Sequence, residues 1–251
     1  MDATTSVEKA LDVLFHLHGA GASGVSGIAR ALELPKSTTH RLLASLARRG
    51  LVEQDEQGRY RPGLRLVALG LGVLDREPVV AAARPELEAE ARASGETLFL
   101  AAARGGRIVV LDKVEGTGFL RAAPRVGEEV PVTVTATGRL HLAFAPESVA
   151  AAATATTPKG VEARRVLERE VAQARRRGWA QNRGEWVPGL AVVAAPVLLG
   201  AGAIPGRRLV AVVALAAPAV RLPAAHTERV AQRVVAAAER IRASLEGRAA
   251  A

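Results

Sequence analysis

A helix-turn-helix pattern near the start of the chain constrains its fold more than any other feature. Pro35 can open a helix because its φ is already fixed and the first helical turn needs no amide donor there. The residues that recur at i, i+3, i+4 and i+7 form an apolar stripe: Thr39, Leu42, Leu43 and Leu46. The opposite side carries cations and hydroxyl groups, namely Lys36, Ser37, Thr38 and Arg41, with His40 at its margin. Such side chains reach phosphates and base edges in a DNA major groove, so we interpret this segment as a recognition helix rather than a solvated surface helix.

The segments before this helix complete the motif. Thr5 to Glu8 has capping-box spacing, and apolar residues at helical spacing follow as far as Leu17, which predicts a first helix. A second, short helix is predicted from Val25 to Leu32. Only Glu33 and Leu34 then remain before Pro35, which is the tight connection that a helix-turn-helix requires.

A β-hairpin is predicted after the recognition helix. Gly50 ends the helix, and the strands 51–54 and 59–61 flank a polar turn through residues 55–58. Arg59 and Arg61 on the return strand are placed to contact a phosphate backbone or a minor groove. Three helices and a hairpin together indicate a winged helix-turn-helix domain over residues 1–63, with double-stranded DNA as its partner.

The distribution of charge agrees with this interpretation better than its total does. The formal net charge is +9, but residues 1–74 hold nine Lys and Arg against seven Asp and Glu, a balance of only +2. Five cations lie between Arg30 and Arg49 against the single acid Glu33, in and around the predicted recognition helix.

Composition limits the remaining classes of function. The 251 residues, 49% of them hydrophobic, can bury the cores of two domains. The absence of cysteine excludes disulfides, thiolate metal sites and a cysteine nucleophile. Because the chain has neither an apolar run of membrane-spanning length nor a signal-peptide pattern, we expect a cytoplasmic protein with no membrane partner.

The second half of the chain changes character at an apolar segment. Residues 64–78 predict a linker helix whose polar side is too thin to be stable alone in water, so we expect self-association through it. Residues 79–251 predict a domain with strands at 97–102, 107–112, 118–122, 190–199 and 209–216, and helices at 79–93, 139–145, 161–177 and 226–245. An antiparallel sheet with helices beside it is an α+β arrangement.

Sites of other chemistry are hard to find in this sequence. His16 and His18 are two residues apart and do not share a helical face, and Asp112 with Glu115 is better explained as a solvated turn. His141 could contact a ligand, although an ordinary core or surface histidine is the simpler interpretation. With no phosphate-binding glycine loop, catalytic triad or metal-ligand cluster, we predict no enzyme activity, no cofactor and no metal.

Several motifs together resemble the IclR family of bacterial transcription regulators. In the first domain they lie at residues 6–11, 34–43, 49–52 and 58–60. In the second domain they lie at residues 83–85, 94–97, 135–139, 177–180, 188–190 and 193–197. The resemblance runs from about Ser6 to Leu245. It implies an effector-binding domain similar to the GAF fold, homodimers or dimers of dimers, and near-palindromic operators.

The resemblance also implies where a small organic or aromatic acid would bind. The pocket loop falls at Thr135, Ala136 and Thr137, whose amides at a helix start could hold a carboxylate, with Leu140 in the helix that follows. The loop from Asn182 through Glu185 and Trp186 would form a second wall, although Trp186 could equally be packed on the surface. The strand that includes Ala214 and Ala216 would form a third wall.

This pocket departs from the family pattern. Ala214 and Ala216 stand where many members have serines whose hydroxyls hold a ligand, and Asn182 stands where an acidic residue is common. The pocket should therefore suit a larger, more apolar or aromatic effector, or it is vestigial. The sequence leaves two hypotheses: a repressor whose operator affinity an effector controls, or a DNA-binding regulator whose second domain serves only for oligomerisation.

Overall fold

The chain folds into two compact units, residues 1–76 and residues 77–251. The computed structural model describes residues 3–74, 76–118, 124–150, 160–200 and 207–249. The boundary between the units lies inside the apolar segment 64–78 that the sequence assigned to a linker.

The first unit is a winged helix-turn-helix, as predicted. Its elements are α1 (Ala3–Ala20), α2 (Val25–Ala31), α3 (Lys36–Arg48), β1 (Val52–Gln54), β2 (Tyr60–Pro62) and α4 (Leu64–Leu74). The two strands pair antiparallel with Glu53 opposite Arg61. The predicted stripe of α3 is buried, and it packs with residues of α1, α2 and the wing: Val13, Leu17, Ile28, Val52 and Tyr60.

The turn between α2 and α3 is as tight as the motif requires. Glu33 has a φ of 51°, a left-handed conformation that reverses the chain in few residues. The amide of Leu34 then donates to the carbonyl of Ala29 at 2.9 Å. Pro35 caps α3 from the position just before the helix, and its carbonyl accepts from the Thr39 hydroxyl at 3.1 Å.

The second unit is a six-stranded antiparallel sheet with helices on both faces. In chain order its main elements are α5 (Pro78–Ser94), β3 (Thr97–Arg104), β4 (Arg107–Val114), β5 (Glu129–Val130), α6 (Ala136–Phe144), α7 (Val161–Arg177), β6 (Ala180–Arg183), β7 (Leu190–Leu199), β8 (Arg208–Pro218) and α8 (Thr227–Ala249). Short 3₁₀ helices lie at Pro146–Val149 and Ala224–His226. The strand order is β5-β4-β3-β8-β7-β6.

Alternation along the central strands gives this unit two separate cores. Val213 and Leu215 of β8 face α5 and α8, whereas Val212, Ala214 and Ala216 face the side of α6 and α7. Because both faces are covered, β7 and β8 consist almost entirely of apolar residues.

Three predictions for this unit differ from the structure or lie outside it. α6 begins at Ala136 rather than Arg139, because Thr135 caps it and brings the pocket-loop residues into its first turn. Residues 180–183 form the edge strand β6, although part of this segment was predicted as a loop. Of the strand predicted at residues 118–122, all but Gly118 lies outside the described residues.

Candidate DNA interface and effector site

The outer face of α3 carries the side chains that the sequence assigned to DNA. Lys36, Ser37, His40 and Arg41 are exposed, whereas Thr38 is half-buried. His40 is therefore part of the exposed face, and Thr38 lies at its margin. The sequence pattern predicted the reverse, with Thr38 on the face and His40 at the margin. The reason is helical geometry, since residues four apart overlap and His40 lies one turn beyond Lys36.

The cations on the exposed face of α3 are not neutralised by carboxylates of the described part of the chain. Among the described residues, neither Lys36 nor Arg41 has an ion-pair partner in the structure. A guanidinium without an internal carboxylate keeps all its N–H donors for a phosphate or for the two acceptors of a guanine edge.

The wing arginines are held differently. The Nε of Arg59 pairs with Asp55 at 2.9 Å, and the Nε of Arg61 pairs with Glu53 at 3.0 Å. Both pairs are solvent-exposed, and exposed ion pairs contribute little stability. They orient the two side chains, and a DNA phosphate could replace either carboxylate at little cost. The ion pairs use the Nε atoms of both arginines. Contact of Arg59 and Arg61 with a phosphate therefore stays a prediction.

The linker helix α4 exposes apolar surface on nearly every side. Its exposed large residues are Leu64, Val67, Leu69, Leu71 and Val73, each between 55% and 76% accessible. An isolated soluble helix rarely exposes so many apolar side chains in so short a length.

The residues predicted to line an effector pocket come together between α6 and the sheet. Seven of them are at most 3% exposed: Thr135, Ala136, Thr137, Leu140, Asn182, Ala214 and Ala216. Ala136, Leu140, Ala214 and Ala216 belong to the core on the α6 and α7 side of the sheet, and Asn182 is bonded to the amide of Ala136. Trp186 is half-buried against the same core, and Glu185 is exposed. The three predicted walls are thus neighbours in space.

The first turn of α6 is bonded within the chain. The amide of Ala136 donates to the Oδ1 of Asn182 at 2.9 Å, and the amide of Gly138 donates to the hydroxyl of Thr135 at 3.0 Å. Of the amides that were expected to be free for a ligand carboxylate, that of Ala136 is therefore occupied, and so is that of Gly138 in the same turn. Two buried donors beside them find no acceptor among the described residues, the Nδ2 of Asn182 and the Nε of Arg139.

Arg139 joins α6, α7 and the β6–β7 connection. Its Nη2 lies 2.7 Å from Glu170 and 3.0 Å from Glu185, and its Nη1 donates to the carbonyl of Gln181. Burial raises the pKa of the Glu170 carboxyl, and the charge of Arg139 opposes that increase. Sequence reasoning missed Glu170, because on α7 alone it is one of several carboxylates on a solvated helix.

His141 is buried on the same helix. Its Nδ1 lies 2.9 Å from the carbonyl of Thr137, so this nitrogen carries the proton and donates it. Burial lowers the pKa of His141, and the hydrogen bond to Thr137 only partly offsets that effect. The ring is therefore neutral at neutral pH.

This arrangement predicts a pH-dependent stability. Since the pKa of His141 is lower in the folded chain than in the unfolded one, the unfolded state binds more protons as the pH falls below the ordinary histidine range. We expect the Tm to drop between about pH 7.5 and pH 5.5, and to drop less in His141→Asn, whose amide keeps the donor to Thr137 but does not titrate. Calorimetry across this range measures both; equal slopes in the two proteins would refute the assignment.

In the described part of the chain, no group of three or more His, Cys, Asp or Glu side chains is arranged to hold a metal ion. No helix there has the length and apolar character needed to cross a bilayer.

Comparisons with known proteins agree with the two-unit architecture. A family model described as "bacterial transcriptional regulator IclR C-terminal" matches residues 71–243, and the IclR helix-turn-helix domain matches residues 6–56. The chain belongs to the IclR family of bacterial transcriptional regulators. The resemblance inferred from its motifs is confirmed, and so is its fold class.

Individual relatives of this IclR-family chain extend over most of its length. The HTH-type transcriptional regulator XynR of Escherichia coli (strain K12) is 32% identical over 205 residues, covering 78% of this chain and 81% of XynR. The HTH-type transcriptional repressor AllR of the same strain is 28% identical over 225 residues, covering 86% of this chain and 81% of AllR. Both are regulators rather than enzymes.

A solved structure shares the fold. An IclR homolog from Microbacterium hydrocarbonoxydans, complexed with 4-hydroxybenzoate, aligns with a TM-score of 0.78 over 96% of this chain and 99% of that protein. At 23% identity this likeness bears on the fold alone.

Proposed function

We propose that this IclR-family regulator is a repressor that binds operator DNA through α3 and loses or gains affinity when a small organic or aromatic acid binds its second unit. The observation that carries the DNA-binding part is the unpaired, exposed face of Lys36, Ser37, His40 and Arg41 on a helix whose other side is fully packed. The relative AllR is named a repressor, which supports the sign of regulation. We expect the protein in the cytoplasm, because that is where bacterial DNA lies.

The proposed effector site lies where α6 meets β6. The unsatisfied Nδ2 of Asn182 and Nε of Arg139 are both donors, so a bound ligand must supply acceptor oxygens to them. Ala214 and Ala216 offer only methyl groups, which suits an apolar or aromatic body better than a small hydroxy acid. The homolog bound to 4-hydroxybenzoate supports an aromatic acid as the first class to test.

Asn182→Leu should abolish the effector response, because leucine has nearly the shape of asparagine but no polar side-chain atoms. The variant removes both the donor for the ligand and the acceptor for the Ala136 amide, so we also expect a loss of about 1–3 kcal/mol in stability. Thermal-shift measurement with 4-hydroxybenzoate and related aromatic acids, followed by operator titration by fluorescence anisotropy, tests the response.

The matched control is Gln181→Leu, because the neighbouring Gln181 side chain is exposed. A response that survives in Asn182→Leu as strongly as in the control would place the effector elsewhere. A bulky residue at Thr137 is a poorer test, since that side chain is 1% exposed and a larger one would disrupt the core.

We infer that α4 mediates homodimer formation. The double variant Val67→Lys with Leu71→Lys should shift the protein toward monomer, because two charges cannot be buried in an apolar helix interface without partners. Sedimentation velocity measures the shift, with Val220→Lys as control because Val220 is 88% exposed in the second unit. An unchanged sedimentation coefficient would show that α4 is not at the interface.

The alternative function is a regulator whose second unit only assembles the oligomer. The dense packing of the predicted pocket residues and the alanines at 214 and 216 favour it. Native mass spectrometry of freshly purified protein separates the two: a co-purified small molecule supports the effector-controlled regulator, and an empty protein that no acid stabilises supports the assembly unit.

A further inference from the structure

A second cavity is lined by residues other than those of the proposed effector site. It has a volume of about 420 Å³ and is found where β3 and β7 end and β8 begins. Leu209 lines it, and Ala216 of the effector site lies seven residues further along β8, which corresponds to roughly 20 Å of strand. His141 of α6 also lines the cavity, one helical turn beyond Thr137, so the two places adjoin along α6 although their described lining residues differ.

The walls of this cavity combine apolar side chains with a few charged ones. Its apolar lining comprises Pro78, Val79, Leu199, Leu209, Val210 and Leu245. Glu77, Arg104, His141, Ser148 and Arg208 add polar groups. A concavity of this size that joins apolar walls to convergent polar groups can hold a small amphipathic molecule.

The arginines give the cavity an affinity for an anion. Arg208 has no ion-pair partner among the described residues. All three guanidinium nitrogens of Arg104 are engaged: its Nε lies 3.2 Å and its Nη2 2.5 Å from the carboxylate of Glu77, and its Nη1 donates to the carbonyl of Ala103 at 2.9 Å. A ligand carboxylate would gain a charge-assisted contact from Arg208 and would compete with Glu77 for Arg104.

His141 offers a hydrogen-bond acceptor to a ligand, whereas the arginines offer donors. Its Nδ1–H is used by the Thr137 carbonyl, so Nε2 is the ring nitrogen left for a ligand. An unprotonated Nε2 accepts a hydrogen bond and repels an anion's lone pairs. The group that it selects is a hydroxyl or another neutral donor.

We propose that this cavity is a second binding site, which takes an amphipathic carboxylate with a hydroxyl group on its apolar body. The carboxylate binds Arg208 and Arg104, the chain or ring fills the apolar walls, and the hydroxyl donates to His141. Its described lining shares no residue with the effector site at Asn182, and its occupancy does not require operator binding.

The test is isothermal titration of the full chain with three probes: 8-hydroxyoctanoate, octanoate and 1,8-octanediol. We expect one site per chain that binds 8-hydroxyoctanoate several-fold more tightly than octanoate and much more tightly than the diol. Arg208→Gln should weaken both carboxylates by about tenfold, whereas Arg229→Gln, an exposed arginine on α8, should not.

Two further variants separate the site from a general loss of structure. Glu77→Gln should tighten carboxylate binding, because it removes a competing negative charge from Arg104, and misfolding cannot produce that gain. His141→Asn keeps the bond to Thr137 and should remove the preference for the hydroxylated probe.

Three outcomes would overturn the proposal. The first is the absence of binding by all three probes. The second is unchanged carboxylate affinity in both Arg208→Gln and Glu77→Gln. The third is binding that Asn182→Leu abolishes and Arg208→Gln leaves intact, which would assign the ligand to the effector site. Because binding is measured without DNA, each outcome is independent of whether the protein is a repressor.

Discussion

Arg41→Ala is expected to abolish specific operator binding while leaving the fold and the oligomer intact. The side chain is exposed on the face of α3 opposite the buried stripe, so its removal costs the domain core nothing. An arginine that contacts a base edge contributes about 1–3 kcal/mol, and a dimer loses the contact twice. Fluorescence anisotropy with an operator duplex should therefore show a loss of about thirtyfold to ten-thousandfold or more.

The control is Arg229→Ala, which removes the same charge from α8 in the second unit. It should change operator affinity by much less than Arg41→Ala, and circular dichroism should show the same helicity in both variants. Operator binding by Arg41→Ala as tight as that of the unmodified protein would contradict the placement of the recognition helix.

Gly138→Ala is expected to be the most damaging single substitution in the second unit. A Cβ at this position would lie 1.9 Å from the carbonyl oxygen of Val132, which is backbone and cannot rotate away. α6 would have to move from the segment before it, which would break the bond between the Ala136 amide and Asn182. We expect a loss of at least about 3 kcal/mol in the free energy of unfolding.

Urea unfolding followed by circular dichroism measures this loss. The matched control is Gly247→Ala in α8, where an added Cβ meets no atom within 4 Å. Alanine there should be neutral or stabilise the helix by up to about 1 kcal/mol. Equal stability of Gly138→Ala and Gly247→Ala would show that α6 tolerates displacement, and would weaken the account of a fixed site at its start.

The first unit could be predicted almost entirely from the sequence, because the patterns that define its elements lie within short stretches of the chain. The stripe through Leu42, Leu43 and Leu46 has helical period, and the short link between α2 and α3 leaves one topology. The sequence could not show that Arg59 and Arg61 are paired within the wing. That depends on the register that places Glu53 opposite Arg61 and on the turn that folds Asp55 toward Arg59.

The second unit was predicted less completely, because its site is made by residues distant in sequence. β6 was missed since it is a short edge strand in which polar residues alternate with buried Ala180 and Asn182. The bond from the Ala136 amide to Asn182 spans 46 residues, and no local pattern signals it. Motif resemblance nevertheless identified the region, whose residues the fold brings together.

The most direct test of the central claim is selection of duplexes from a random DNA pool by the purified full chain, with Arg41→Ala selected in parallel. We expect the unmodified protein to enrich one near-palindromic sequence, with half-sites related by two-fold symmetry, and Arg41→Ala not to enrich it. No enrichment by the unmodified protein, or the same enrichment by the variant, would contradict sequence-specific recognition by the exposed face of α3.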